Sequence, residues 1–325
     1  MLGLGKGALC VGGAWRDDAA DMRLGCKVHA RDVEPGLVHF PPCSVSATSL
    51  ALAALLREHA DAALRGPPAT RARRLRAAAD AADLLRACGP CVHGAELEAV
   101  PGAAMLFRND SHFVAYRLMG AAAACGASQL AGMAAALCAT GDAWLAAAVE
   151  AAAADSAAVL HVPDGFHNAS APPQRVALER ALAGALHAVQ RFAALAEDTL
   201  PRATASVSSS AVLSALGEAV VQHVLDVRDV SVDDARVLCE VLDTACTAAA
   251  LPLDARLRGS DAPGWRRLAA VRRVLDASLA EITAAAEGGQ LGALSAAELG
   301  ALVRAVFSDT HARADALRRI SAAPI

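Results

Sequence analysis

Aromatic side chains are scarce: Trp, Phe and Tyr together supply 3 % of the 325 residues. The chain therefore has few of the large β-formers that favour sheets. Its hydrophobic share of 55 % is carried chiefly by alanine, the best helix former and a poor strand former. No strand-and-turn rhythm appears. Excess positive charge is also lacking. With a formal net charge of −4 and both signs interspersed, no basic field exists to hold nucleic acid through its phosphates. A disulfide framework is missing too, because nine cysteines, an odd number scattered along the chain, fit free thiols in a reducing compartment such as the cytosol.

Targeting and spanning segments are absent by the same reading. The N-terminal stretch MLGLGKGALCVGGAWRDDAADMR is glycine-rich and soon acidic, unlike a secretory signal or a transit peptide. The longest uncharged window, Leu118 to Gly141, is mostly Ala, Gly, Ser and Gln with few leucines. It falls short of the roughly 20 strongly apolar residues of a spanning helix and is expected to be a soluble helix with a small-residue packing face. Gly3-Leu-Gly-Lys-Gly7 lacks the spacing that cradles phosphates.

What is present is helical periodicity. From Ser44 onward apolar residues recur at helical spacing between breaks at Gly66-Pro67-Pro68, Gly89-Pro90, Pro101-Gly102, Pro163 to Pro173, Pro201, Pro252 to Gly264 and Gly288-Gly289. Roughly eight or nine helices follow from these breaks, and the expected class is all-α, in tandem antiparallel bundles that form a rod. The stretch from Val162 to Pro173, with three prolines and Gly165, is the expected domain boundary. The expected layout is a poorly ordered segment over 1–39, a first bundle over 40–162, a linker over 163–173 and a C-terminal bundle over 174–325.

Near the C-terminus, Leu299, Leu302, Val303, Val306, Phe307, Thr310, Ala314 and Leu317 form one stripe, with Arg304, Asp315, Arg318 and Arg319 off it. Ser295-Ala-Ala-Glu298 is a capping box at its start, and Ser231-Val-Asp-Asp234 opens another helix similarly. The stripe is expected to be a single last helix packed on a helix running from Trp265 to Ile282. Trp265, Leu302, Val306, Phe307 and Leu317 are the expected core, and Arg304 and Arg313 the expected solvent-facing partner surface.

Three constellations could carry chemistry. In LFRNDSHFVAYRL (106–118), Asn109, Asp110, Ser111 and His112 stand side by side. Helical neighbours diverge by about 100°, so they cannot converge on one atom, and a catalytic triad draws its members from distant parts of the chain. Cys88-Gly-Pro-Cys91 has the spacing of a thioredoxin-like redox motif, which needs a helix N-terminus to activate its thiolate. Here Gly-Pro is expected to end a helix, where the dipole is negative and opposes a thiolate. Cys26-x2-His29 with His39-x3-Cys43 could supply four zinc ligands, a pattern that arises easily among nine cysteines and ten histidines. A thiol-redox or zinc-dependent enzyme built on Cys88/Cys91 or Cys26/His29/His39/Cys43 is thus the alternative to a protein without catalysis. The run Arg71, Arg73, Arg74 and Arg76 is expected to be a solvated helix face.

Several stretches, in order along the chain, resemble the C-terminal region of the zeste-white-ten family. They are Phe40-Pro-x-Cys43-x-Val45-Ser46, LFRNDSHFVAYRL, Leu200-Pro201, Asp229-Val-Ser-x-Asp-Asp234, Pro263-x-Trp265 and LVRAVFSDTHARADALRRI. The resemblance covers about residues 36 to 321. It implies a non-enzymatic helical scaffold, without cofactor or metal, acting with Rod–Zwilch-like subunits at the kinetochore in the spindle checkpoint. It also implies work with Dsl-type subunits that tether Golgi-to-endoplasmic-reticulum vesicles. Localisation would be cytoplasmic, peripheral at the endoplasmic reticulum through partners, and kinetochoric in mitosis. On this resemblance Asn109 to His112 marks a helix start. The chain is poorer in aromatics than the family and carries no counterpart of the family's N-terminal helices, which pair with another tether subunit.

Overall fold

The computed structural model describes residues 26–28, 40–257 and 262–323. Among them are two short strands, β1 (Cys26–Val28) and β2 (Cys43–Val45), followed by eleven helices. These are α1 (Ala47–Arg65), α2 (Pro68–Ala99), α3 (Pro101–Cys125), α4 (Ser128–Ala158), α5 (Pro172–Thr199), α6 (Arg202–Leu225), α7 (Val232–Leu257), α8 (Pro263–Asp276), α9 (Leu279–Glu287), α10 (Ala296–Val306) and α11 (His311–Ala322). The fold is all-α apart from the antiparallel β1–β2 pair, in which Cys26 faces Val45 and Val28 faces Cys43. Part of the segment expected to be poorly ordered over 1–39 is thus a paired strand.

Turn chemistry sets many helix limits. Ser46 caps α1 by accepting from the Ser49 amide, Gly66 closes it, and Pro68 and Pro101 occupy first-turn positions of α2 and α3, where no amide is needed. Two expected breaks are bridged instead. α2 continues through Gly89-Pro90, with a local departure from helical geometry at His93 (φ −116°, ψ 15°). Proline removes one helical hydrogen bond and crowds the preceding turn. Packing offsets this cost, because Leu85 before Pro90 and Leu97 after it are both buried in one core with Phe107. α7 likewise runs past Pro252 to Leu257. The window from Leu118 to Gly141 is not one helix either, since α3 ends at Gly126 in a left-handed turn (φ 64°) and α4 restarts at Ser128. By length and composition alone, α4 and α6 are apolar enough to cross a membrane, and 28 % and 56 % of their most apolar windows are buried within the fold.

The described chain divides into two compact units: Met1–Glu150 with Ala193–Ala205, and Ala151–Phe192 with Ser206–Ile325. The division falls inside α4, α5 and α6, and not at the expected linker. Residues 163–173 belong to the second unit, where Phe166 and Ala169 are buried at 2 % and 0 % exposure. Gly165 (φ 57°) and Asn168 (φ 52°) let the segment turn back, so a proline-rich stretch reads as a linker in sequence yet is packed.

In the first unit α1, α2 and α3 pack on one another around Leu56, Leu85, Leu97, Phe107, Val114 and Leu118. Alanines at 78, 81, 82, 103, 115 and 134 fill the remaining core. Small side chains let helix axes approach closely, which is how a core can be dense with so few aromatics. In the second unit α7 packs on α8, α8 on α10, and α10 and α9 on α11. The expected helix from Trp265 to Ile282 is two helices. Ser278 starts α9 with a capping box to Glu281, so the chain turns between α8 and α9.

Candidate functional site

The cluster at 109–112 lies in the third turn of α3, which begins at Pro101, and so is not a helix start. Its neighbours do diverge. The Asn109 Nδ2 amide donates to the carbonyls of Ser44 (3.0 Å) and Thr199 (2.7 Å). Asp110 Oδ1 accepts from the Ser46 amide (2.7 Å) and the Ser49 hydroxyl (2.8 Å). His112 Nε2 pairs with Asp142 Oδ1 at 2.8 Å, beside an Arg108 Nε–Asp142 contact of 3.0 Å. One helix turn thus ties β2, the first turn of α1, the end of α5 and α4 to α3.

Burial sets the electrostatics. Asp110 is fully enclosed, and burial pushes its carboxyl up to about 7 against the opposing hydrogen bonds from Ser46 and Ser49. Burial, then the Asp110 charge, push the Cys43 thiol up to about 12. His112 is lowered by burial and by Arg108, with Asp142 partly offsetting them. His112 bonds to Asp142, while the buried Ser111 hydroxyl lies against Gly141, where an added Cβ would sit 3.1 Å from Ser111 Oγ. Ser111, His112 and Asp110 therefore form no relay. The arrangement is a polar junction that positions helices.

Two motifs far apart in sequence meet here. Phe40 packs edge-on against Phe113 (centroids 5.4 Å) and next to Tyr116 (5.5 Å), enclosing Cys43, Val45 and Ala53. Both motifs stand out in the sequence, but their contact, and Asp142 as the partner of His112, arise only from packing.

The second unit is held by ionic and capping bonds. Ser295 and Glu298 form the expected capping box of α10. Arg267 of α8 bridges Glu218 of α6 and Glu298, and Arg319 of α11 clamps Glu287 of α9 through two bonds of 2.7 and 2.8 Å. The Gly264 amide at the start of α8 donates to Ser214 Oγ of α6 at 2.8 Å.

Residues 180–320 match the family described as the ZW10 C-terminal helical domain. This segment of the chain is similar to that family. No curated protein matches the chain. The family match and the all-α fold support a scaffold-type helical protein.

Within the matched segment, the stripe expected to be one helix is two. α10 ends at Val306, the chain extends through Phe307 (φ −110°, ψ 137°), and Thr310 caps α11 by accepting from the Arg313 amide. Leu302 is buried at 2 % exposure, whereas Trp265, Val306, Phe307 and Leu317 are half-buried. Arg304 is exposed. Arg313 is not: its side chain is 16 % exposed, pairs with Asp309, and donates to the carbonyls of Phe307 (2.7 Å) and Arg304 (3.3 Å). It satisfies the free carbonyls at the end of α10, a structural task the stripe pattern could not reveal.

Cys88 and Cys91 lie within α2 and not at its end, and Gly89 meets Phe107, where an added Cβ would lie 2.5 Å from Cε2. Of the four zinc candidates, His29 and His39 lie outside the described residues. Cys26 and Cys43 stand at opposite ends of the β1–β2 ladder, and Cys43 is held as a thiol. Among the described residues no group of three His, Cys, Asp or Glu side chains is placed to hold a metal.

Proposed function

We propose that this chain is a non-enzymatic scaffold subunit that works through protein partners, in a Rod–Zwilch-like kinetochore complex, in a Dsl-type complex tethering Golgi-to-endoplasmic-reticulum vesicles, or in both. The observation that carries this reading is the match of residues 180–320 to the ZW10 C-terminal helical domain. The ordered motifs before it, Phe40 to Ser46 and 106–118, support extending the reading toward the first unit. The polar residues of the junction agree with a scaffold, because Asn109, Asp110 and His112 are taken up in positioning helices. Membrane association would be peripheral and mediated by partners, with the protein cytoplasmic between mitoses and at kinetochores during them.

The test is a tagged pull-down of the whole chain from cells in interphase and in mitosis, with identification of the co-purifying proteins. Recovery of Rod- and Zwilch-like subunits supports the kinetochore role, and recovery of Dsl-type subunits supports tethering. If neither set is enriched over a tag-only control, the reading is wrong.

A further inference from the structure

The first half of α2 carries a charge arrangement that folding does not explain. Between Pro68 and Ala79 stand Arg71, Arg73, Arg74 and Arg76 and no acid. Cations near a helix N-terminus oppose its dipole, and like charges in adjacent turns repel, so this placement costs stability. Arg71 is used internally, donating to the Cys125 carbonyl at 2.6 Å, and Arg74 reaches only His59 at 3.5 Å. Arg73 and Arg76 are exposed and make no ion pair among the described residues.

These two arginines do not sit on a flat face. They line a cavity of about 810 Å³ in the first unit, between α2 and the turn that leads from α3 into α4. Leu75, Ala79 and Leu130 contribute apolar lining, and Asp80, one turn after Arg76, lines it as well, leaving two arginines against one carboxylate. Ser128 and Gln129, the first residues of α4, also line it, so the positive end of a 31-residue helix adds to the field. Cationic rim, apolar lining and concave shape are complementary to a short segment that alternates carboxylates with aliphatic side chains.

We infer that this cavity docks an acidic segment of a partner protein, with carboxylates on Arg73 and Arg76 and an aliphatic side chain against Leu75 and Leu130. Guanidinium groups pair with carboxylates bidentately, and each pair here would also relieve the unneutralised charge at the start of α2. The inference rests on the scaffold reading, since it names one surface through which such a scaffold would hold a partner.

The whole chain is titrated, at low and at near-physiological salt, into a dye-labelled octapeptide of glutamates and leucines. The expected result is saturable binding that weakens as salt rises and falls roughly tenfold or more in Arg73→Glu/Arg76→Glu. The control Arg180→Glu/Arg191→Glu, exposed on α5, should bind like the parent. The double variant should also melt at or above the parent temperature, because it removes repulsion at the start of α2. Should it fail to fold, Arg73→Gln/Arg76→Gln, which removes both charges without reversing them, serves in its place. Absent peptide binding, equal loss in the control, or binding to phosphatidylserine vesicles without binding to the peptide each overturns the proposal. The two readings fail separately. Loss of peptide binding while Rod- or Dsl-type subunits still co-purify removes only the docking site, and retained, arginine-dependent peptide binding without those subunits removes only the complex assignment.

Discussion

Gly217 of α6 and Gly264 at the start of α8 meet backbone to backbone: a Cβ added to Gly217 would lie 2.5 Å from the Gly264 carbonyl carbon. This approach, together with the Gly264–Ser214 hydrogen bond, fixes how α8 sits on α6 inside the second unit. Gly217→Ala gains helix propensity but forces the two helices apart. Overpacking of this kind costs roughly 1 to 3 kcal/mol, more than the roughly 1 kcal/mol that alanine returns in a helix interior. Urea unfolding should show a net loss. Gly132→Ala in α4, where an added Cβ meets nothing within 4 Å, should be neutral or stabilising. Equal behaviour of the two variants would mean that the α6–α8 contact is loose.

The enclosed Asp110 makes the stability of the first unit depend on pH. Its folded value of about 7 lies above the ordinary 3.8, so the folded state binds more protons between those limits. Stability from this group is fully present below about pH 4 and is lost as pH rises through 7, on the order of 4 kcal/mol across the window at about 1.4 kcal/mol per pH unit. His112, whose value is lowered by burial, acts in the opposite sense and favours the folded state as pH rises. Asp110→Asn keeps an oxygen for Ser46 and Ser49 but cannot titrate. Melting curves at pH 5 and pH 8 should draw together in this variant relative to the parent. An unchanged difference would assign the dependence to other groups.

Arg304→Glu and Arg313→Glu should part company. The first alters an exposed side chain and should melt within roughly 0.5 kcal/mol of the parent. The second removes the donors to the Phe307 and Arg304 carbonyls and brings a carboxylate beside Asp309, for a loss of roughly 1 to 3 kcal/mol. In partner pull-downs only Arg304→Glu reports on surface, because Arg313→Glu changes the α10–α11 turn. Similar melts for both would show that the carbonyls at the end of α10 are satisfied without Arg313.

Leu302 and Phe307 test where the core of the last two helices lies. Leu302→Ala opens a cavity in a buried site and should cost roughly 2 to 5 kcal/mol. Phe307 is half-buried in the extended segment after α10, so Phe307→Ala should cost less despite removing a larger side chain. The reverse order in thermal melts would mean that Phe307 is the true core position.

At the Cys88-Gly-Pro-Cys91 motif, the sensitive position is the glycine. Gly89→Ala drives a methyl into Phe107, whereas Cys88→Ala and Cys91→Ala alter side chains that are half-buried and exposed. Melting should fall for Gly89→Ala and hold for the cysteine variants. A large loss on replacing either cysteine would point to a role that packing does not provide.

The helical class, the capping box at Ser295 and the Ser231 cap, where the Asp234 amide donates to Ser231 Oγ, were legible in the sequence, because periodicity and caps are local properties of a few adjacent residues. The divergence of Asn109, Asp110 and His112 was legible too, since it follows from 3.6 residues per turn. Their partners were not. Asp110 finds Ser46 across 64 positions and Asn109 finds Thr199 across 90, pairings that only packing can bring about. Local rules also misjudged Pro90 and the segment from Phe307 to Thr310. Burial of Leu85 and Leu97 on both sides of Pro90 outweighs one lost hydrogen bond, while Arg313 and the Thr310 cap stabilise a break that the apolar stripe gave no reason to expect. The sequence by itself determined which segments are helical. The tertiary structure decided which helix ends are real and which polar side chains are spent on holding them, because those energies come from contacts between residues distant in the chain.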